Sequence, residues 1–124
     1  THGRTPLMGA CFYGHIDVVK LLLDHSERIE LNARSNNGWN AFIFACQEGH
    51  KDVVKLLLDH SERIDLNARS NSGVTAFMLP CRDGRENVVQ LLLDNSEDVD
   101  ITLPNKYPVY SERSDISLTF IKDK

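Results

Sequence analysis

The sequence has no excess of basic residues and no long hydrophobic run. Its 124 residues include 14 lysines and arginines against 18 aspartates and glutamates, which gives a formal net charge of −4 at pH 7. Phosphate binding requires concentrated lysine and arginine, so the composition argues against nucleic acid or an anionic membrane as a partner. Without a signal peptide or a long apolar segment, nothing indicates secretion or a membrane span.

Catalytic signatures are missing as well. No serine, cysteine or lysine stands at a suggestive spacing from a base and an orienting acid, and no glycine-rich loop could cradle a phosphate. The sequence therefore predicts a protein that is not an enzyme and that requires no cofactor.

What the sequence does contain is a segment that recurs every 35 residues. Residues 18–29, with the sequence V-V-K-L-L-L-D-H-S-E-R-I, recur without change at 53–64, and a close copy occupies 88–99. Glycines keep the same register at positions 3, 38 and 73 and at 14, 49 and 84. Such self-similarity is typical of a solenoid, in which each unit is too small to bury its apolar face and stacks on its neighbours.

Each repeat is predicted to begin with a short helix. In the middle copy the apolar run 41–46 follows Asn40, a residue suited to an N-cap, and precedes Gly49, which can close a helix in the left-handed conformation. Thr5 and Thr75, the register partners of Asn40, are also capping types. The pattern therefore predicts a capped first helix in each of the three repeats.

A second helix and a loop complete the repeat. Residues 53–58 carry a broad apolar stripe at helical spacing. In the segment 61–67 that follows, Ile64 and Leu66 alternate with polar residues, as in a short extended segment, and a turn follows at 71–73. The expected fold class is all-α, a helix-turn-helix solenoid of three stacked repeats with projecting hairpin loops. The repeats cover about 1–34, 35–69 and 70–102, and an irregular C-terminal segment covers 103–124.

Residues 3–25 read G-x-T-P-L-x-x-A-C-x-x-G-H-x-x-V-V-x-L-L-L-x-H, and this pattern resembles an ankyrin repeat. The resemblance extends over residues 1–102 and implies a non-enzymatic module that binds another protein and is a monomer in isolation. The family's usual unit is about 33 residues, so the longer repeat here implies a longer second helix or loop after the leucine triplet. Met8, Ile43 and Met78 replace the histidine that usually follows Thr-Pro-Leu, on which a side-chain network is normally built.

The three cysteines occupy one column of the repeat, at Cys11, Cys46 and Cys81. Neighbouring helices in a stack lie about 8–10 Å apart, whereas a disulfide needs Cα atoms within roughly 7 Å and zinc ligands must lie about 2.0–2.3 Å from one ion. The spacing therefore predicts small buried residues on the first helix, with no disulfide and no metal site. Free thiols also suit a reducing intracellular compartment, most simply the cytoplasm.

The histidines are assigned structural roles by their positions. His15 and His50 follow the glycine between the two helices, where we expect their side chains to bond backbone at the turn. His25 and His60 lie near the ends of the second helices, where a protonated imidazole interacts favourably with the helix dipole.

Positions that differ between the repeats on an exposed face are the candidates for partner binding, because positions that agree are expected to build the stack. At the loop tips these are His2, Arg4, Asn36, Asn37, Trp39, Asn71, Ser72 and Val74. At the end of the first helix they are Phe12, Tyr13, Gln47, Glu48, Arg82 and Asp83. In ankyrin-like proteins such positions line the concave face that holds partners.

Among these candidates we expect Trp39, Tyr13 and Phe12 to be the anchors, because aromatic residues carry much of an interface's energy. The alternatives are that Trp39 packs on the next loop and that Phe12 belongs to the core.

A second hypothesis concerns Asn32 and Asn67. Loop asparagines in this setting resemble the sites that asparaginyl hydroxylases modify in ankyrin repeats, and Thr102 takes this place in the third copy. The alternative is that each amide bonds the loop backbone. An added oxygen, detected by mass spectrometry of the natural protein, would distinguish them. A further alternative is that the chain is a regulatory segment of a larger enzyme or signalling protein, and the intact parent sequence would decide this.

The third repeat departs from the other two. Pro80 replaces the alanine at Ala10 and Ala45, so the helix is expected either to kink there or to begin late. Residues 103–124 are expected to cover the open face of the last repeat or to extend as a tail, with Ile116, Leu118 and Phe120 on the docking side. An unchanged melting temperature after deletion of 109–124 would count against the cap.

Overall fold

The computed structural model describes residues 3–102 and contains six α-helices and one 3-10 turn there. The helices are α1 (Pro6–Tyr13), α2 (Ile16–Asp24), α3 (Ala41–Glu48), α4 (Lys51–Leu58), α5 (Met78–Asp83) and α6 (Glu86–Asp94), and the turn is Ser26–Arg28. No strand occurs among the described residues, and the all-α fold class is confirmed. The expected C-terminal cap or tail at 103–124 lies outside the described residues.

The helices form two layers. The inner layer consists of α1, α3 and α5 in contact along the stack, the outer layer consists of α2, α4 and α6, and each inner helix packs on the outer helix of its own pair. The core lies between the layers and contains Phe42, Phe77 and Leu57, none more than 1% exposed. Cys11, Cys46 and Cys81 are buried and unpaired on the inner helices, which confirms their predicted place in the core.

Side chains cap the first two inner helices as predicted. Thr5 Oγ1 accepts a hydrogen bond from the Met8 N–H at 3.3 Å, and Asn40 Oδ1 accepts one from the Ile43 N–H at 3.0 Å. The Met8 sulfur in turn accepts a bond from the Thr5 N–H at 3.4 Å, so methionine completes a capping box at the position where the family usually has histidine. Each inner helix ends at a glycine in the left-handed conformation.

The third inner helix begins late, and the predicted cap at Thr75 is wrong. Helix α5 starts at Met78, and the Thr75 Oγ1 is buried with no hydrogen-bond partner among the described residues. The late start places Pro80 in the first turn, where a backbone N–H has no partner within the helix in any case. Proline therefore removes no internal hydrogen bond, and a late start rather than a kink accommodates it.

The two threonines are expected to respond in opposite directions to replacement by valine. Thr75→Val should raise the free energy of unfolding by about 1 kcal/mol, because it removes a buried hydroxyl that has no partner. Thr5→Val should lower it by about 1 kcal/mol, because it removes a cap. Urea denaturation followed by circular dichroism measures both changes. A loss of stability in Thr75→Val as large as that in Thr5→Val would show that the Thr75 hydroxyl is bonded.

The outer helices show how stacking changes the environment of identical residues. Val18 on α2 is 44% exposed, whereas Val53, at the same place in the identical segment of α4, is 1% exposed because α2 covers it.

Two histidines cap the ends of outer helices. The Nδ1 atoms of His25 and His60 donate to the carbonyl oxygens of Leu21 and Leu56 at 2.9 Å, so each side chain satisfies a backbone carbonyl in the last turn of its helix. The segment after the leucine triplet, where the extra residues of the repeat were expected, forms a loop after each outer helix, with a 3-10 turn after α2.

Tight turns form the loop tips. The Ser35 N–H donates to the Trp39 carbonyl and the Gly38 N–H donates to the Ser35 carbonyl, both at 2.8 Å, and Gly38 has a φ of 85°. Residues 70–74 repeat this arrangement. Burial alternates along 64–70, as the sequence predicts, but within the described residues this segment forms no strand.

Candidate functional site

The two loop asparagines connect adjacent repeats. Asn32 Nδ2 donates to the Arg63 carbonyl at 3.0 Å, and Asn32 Oδ1 accepts from the Asp65 N–H at 2.7 Å. Asn67 makes the same pair of bonds to Asp98 and Asp100, at 3.0 and 2.7 Å. Each amide therefore bonds backbone in the following repeat, which gives both residues a structural role. Hydroxylation of Asn32 or Asn67 stays a prediction.

The residue after the inter-helix glycine reaches back to the preceding repeat. His50 Nε2 bonds the Phe12 carbonyl at 2.8 Å, and the Arg85 guanidinium donates from Nε to the Gln47 carbonyl at 2.9 Å. A Cβ atom on Gly14 would lie 2.6 Å from His50 Nδ1, so glycine is required at that position both by its φ of 74° and by this approach. The expected backbone bond is therefore made by His50 across a repeat boundary, whereas the His15 ring stacks on Tyr13.

A groove of about 440 Å³ lies between the first loop tips and the inner helices. It is lined by Arg4, Ser35, Asn37 and Trp39 from the loop tips and by Phe12, Phe44, Gln47 and Glu48 from α1 and α3. We call this the tip groove. Its walls combine aromatic rings with amides and one charge of each sign, which is the composition of a site that binds apolar and polar groups of a ligand together.

Aromatic packing holds the tip groove in shape. The Phe44 ring is central, with its centroid 5.2 Å from that of Trp39 and 6.0 Å from that of Phe12. The Phe12 ring also packs edge-on against Tyr13 at 4.9 Å. The Arg4 guanidinium carbon lies 5.6 Å from the Phe12 centroid and 5.1 Å from the Phe44 centroid, within the range of a cation–π interaction.

Six of the predicted binding residues meet in the tip groove, and the other predicted residues within 3–102 lie outside it. Those six are Arg4, Phe12, Asn37, Trp39, Gln47 and Glu48. Tyr13 is adjacent and 67% exposed, and Asn36 and Ser72 are exposed. Asn71 joins two loop tips, because its N–H and Nδ2 donate to the carbonyls of Asn37 and Asn36 at 2.9 Å. Arg82 and Asp83 form an ion pair with each other at 2.7 Å, away from the groove.

One of the predicted binding residues is buried in the core and is not available at this face. Val74 is only 4% exposed, so its expected exposed position is wrong, because this side chain packs into the core beside Ala76 and Phe77. His2 lies outside the described residues. The residues that line the tip groove belong to the first two repeats.

Sequence reasoning missed Ser35 and Phe44 as groove residues. Phe44 lies in an apolar run of the sequence, which predicts a core residue, and its side chain is 4% exposed in the structure. The variation at this repeat position was the signal that could have identified it. The equivalent residues are Gly9 and Leu79, and Gly9 has no side chain to fill the space beside the next repeat. Ser35 is not distinguished by comparison between repeats, because its counterpart is Ser70.

Among residues 3–102, no group of three or more histidine, cysteine, aspartate or glutamate side chains could hold a metal ion. Burial raises the pKa of Cys11 and of Cys81 to about 12, and burial together with the nearby Cys11 raises that of Cys46. Hydrogen bonds from the Thr102 hydroxyl and N–H lower the pKa of Asp100. None of the described helices has the length and apolar character needed to cross a membrane.

Comparison with known families identifies the repeat. A model of three successive ankyrin repeats matches residues 27–105, and a model of a single ankyrin repeat matches residues 2–36. Comparison with curated proteins gives no match. The three-repeat match covers more than half of the chain, and the helix pairs, glycine-closed inner helices and projecting turns of the structure agree with it. This chain therefore belongs to the ankyrin repeat family.

Proposed function

We propose that this chain is a non-enzymatic interaction module that holds a partner protein in the tip groove. Ankyrin repeats are generally protein–protein interaction modules and typically have no enzymatic activity. The observation that carries the proposal is the identity of the residues that line the groove. Most of them occupy repeat positions at which the residue type differs between the repeats. The columns that agree contribute instead to the core and to the bonds between repeats.

The half-buried aromatic residues of the groove support this use. Trp39 and Phe12 each pack on Phe44 with one part of the ring and line the groove with another. Rings fixed in this way lose little conformational freedom on binding and can bury large areas, which is typical of residues that dominate interface energy. Tyr13 extends the same aromatic surface beyond the rim of the groove.

The class of partner follows from charge and composition. A chain with a net charge of −4 has no excess of the basic residues that bind nucleic acid or an anionic membrane, so we propose a protein partner and a monomeric module. An intracellular location, most simply cytoplasmic, is part of the same proposal, because the chain keeps three unpaired thiols.

Replacing Trp39 with alanine is expected to reduce partner recovery strongly. The tagged chain would be used to capture proteins from a lysate of its native cells, with quantitative mass spectrometry as the readout. A partner held in the tip groove should be recovered at least about tenfold less by Trp39→Ala, because truncating a central aromatic removes a large share of the interface energy. Tyr13→Ala should reduce recovery less.

The control is Lys55→Ala, an exposed change on the outer helix α4 that should leave recovery unchanged. Circular dichroism would establish that Trp39→Ala remains folded, and Tyr13→Ala, whose side chain is largely exposed, tests the same surface with little effect on the core. Equal recovery of every specific partner by all four proteins would reject the tip groove as the binding site.

A further inference from the structure

Arg4 is the one cationic residue among those lining the tip groove, and its side chain is held in place before any partner arrives. The guanidinium carbon lies over two rings, 5.6 Å from the Phe12 centroid and 5.1 Å from the Phe44 centroid. A planar guanidinium packed on aromatic faces has fewer accessible conformations than a free one. Less conformational entropy is therefore lost when it binds a ligand.

The hydrogen-bonding capacity of Arg4 is not used within the described part of the chain. The ion pair between acidic and basic side chains there joins Arg82 to Asp83, and Arg4 donates no side-chain hydrogen bond to any residue of 3–102. Glu48 lines the same groove without pairing with it. Arg4 is also exposed, so its five N–H donors remain available at the mouth of the groove.

We infer that the tip groove recognises a peptide segment in which an aspartate or glutamate lies close to an apolar side chain, and that Arg4 binds the carboxylate. This inference rests on the proposed function and names the chemistry of the partner. The forked guanidinium matches a carboxylate with two parallel N–H···O bonds. The apolar side chain would pack on Trp39 and Phe12, and a volume of about 440 Å³ leaves room for only a few side chains.

The position of Arg4 argues against a basic segment in the same place. A partner lysine or arginine directed at the aromatic rings would meet the guanidinium already lying over Phe12 and Phe44. Two like charges at such a short distance repel each other, and the repulsion is stronger in a partly buried groove than in water. Glu48, at the α3 end of the groove, can accept N–H donors from the partner without altering this preference.

A random peptide library displayed on phage tests the inference and requires no identified partner. The library is selected on the whole chain, on Arg4→Glu, on Trp39→Ala and on the control Arg28→Glu, which makes the same charge change at an exposed position outside the groove. The wild-type chain and Arg28→Glu should enrich peptides with an acidic residue near an apolar one. Arg4→Glu should lose the acidic preference, and Trp39→Ala should enrich no peptides.

A synthetic copy of an enriched peptide gives the magnitude. Changing its acidic residue to the corresponding amide should weaken binding to the wild-type chain roughly ten- to hundredfold, because a charge-assisted hydrogen-bonded pair is lost. The same change should not weaken binding to Arg4→Glu, because a glutamate there repels the carboxylate that the amide replaces. Arg4→Lys should show a smaller loss than wild type, because lysine keeps the charge without the fork.

The outcomes separate this inference from the function on which it rests. Peptides that depend on Trp39 but show no acidic preference, or that bind Arg4→Glu equally well, would overturn the role of Arg4 and leave the tip groove as a binding site. A basic preference would do the same. Selection of no peptides by the wild-type chain, or of the same peptides by Trp39→Ala, would overturn both.

Discussion

Replacing Leu57 with alanine is expected to lower the free energy of unfolding by about 2–5 kcal/mol. Leu57 lies on α4, in the middle repeat, and is completely buried. Neighbouring repeats pack on both sides of α4, so the surrounding helices cannot easily close the cavity that the substitution leaves. The melting temperature of a domain of this size should fall by roughly 10 °C or more. Urea denaturation and thermal melting, both followed by circular dichroism, measure the change.

The control for Leu57→Ala is Leu21→Ala, the same substitution at an exposed leucine. Leu21 belongs to the leucine triplet of α2, at the position equivalent to Leu56 in α4, and its side chain is 60% exposed. The loss there should stay within about 0.5 kcal/mol. If the two substitutions proved equally damaging, burial of the Leu57 side chain would not be the cause of its contribution to stability.

Alkaline pH is expected to destabilise the stack through its three thiols. A cysteine in the unfolded chain has a pKa near 9.0, whereas burial raises the pKa of Cys11 and Cys81 to about 12 and also raises that of Cys46. Because the folded pKa lies above the unfolded one, this stabilisation is complete below about pH 9 and is lost as the pH rises towards the folded values. Between about pH 8 and pH 10 each thiol should remove about 1.4 kcal/mol, or about 4 kcal/mol together.

Denaturation curves across this pH range measure the loss, and Cys46→Ala supplies the control. That variant should lose about one third less stability between the two pH values, since one titrating group is gone. Iodoacetamide offers a second readout, because the thiolate is the reactive species and the folded chain should therefore be alkylated far more slowly than the chain in denaturant. Stability that is flat with pH, or alkylation that is as fast in the folded chain, would contradict the burial of the three thiols.

The repeat architecture could be predicted because its causes are local or periodic. The capping residues Thr5 and Asn40, the glycines that close the inner helices and the apolar stripe of α4 each act within a few residues of the chain. An interval of 35 residues then requires that equivalent elements lie side by side, so the cysteine column is buried in every copy. The function class followed from the resemblance that these same positions carry.

The wrong predictions for Thr75 and Val74 have the same cause, because the environment of each side chain depends on where its repeat lies in the stack. Thr75 has a capping side chain, but the helix after it begins three residues later, so the hydroxyl is left without a partner in the described structure. Val74 occupies the same column as Arg4 and Trp39, yet it is buried where they are exposed or half-exposed. A comparison of columns shows which positions vary and does not show which way each side chain faces.

For this chain, the order of its residues was sufficient to establish the helical repeat, the buried columns and the set of variable positions, because helix caps and apolar periodicity depend on neighbours along the chain. Packing between repeats was needed to decide how those positions are used. The same valine is exposed at Val18 and buried at Val53, and Arg4 reaches Phe44 across a repeat boundary to form one wall of the tip groove. Contacts between residues about 35 positions apart arise only when the repeats stack, and no single copy of the repeat contains them.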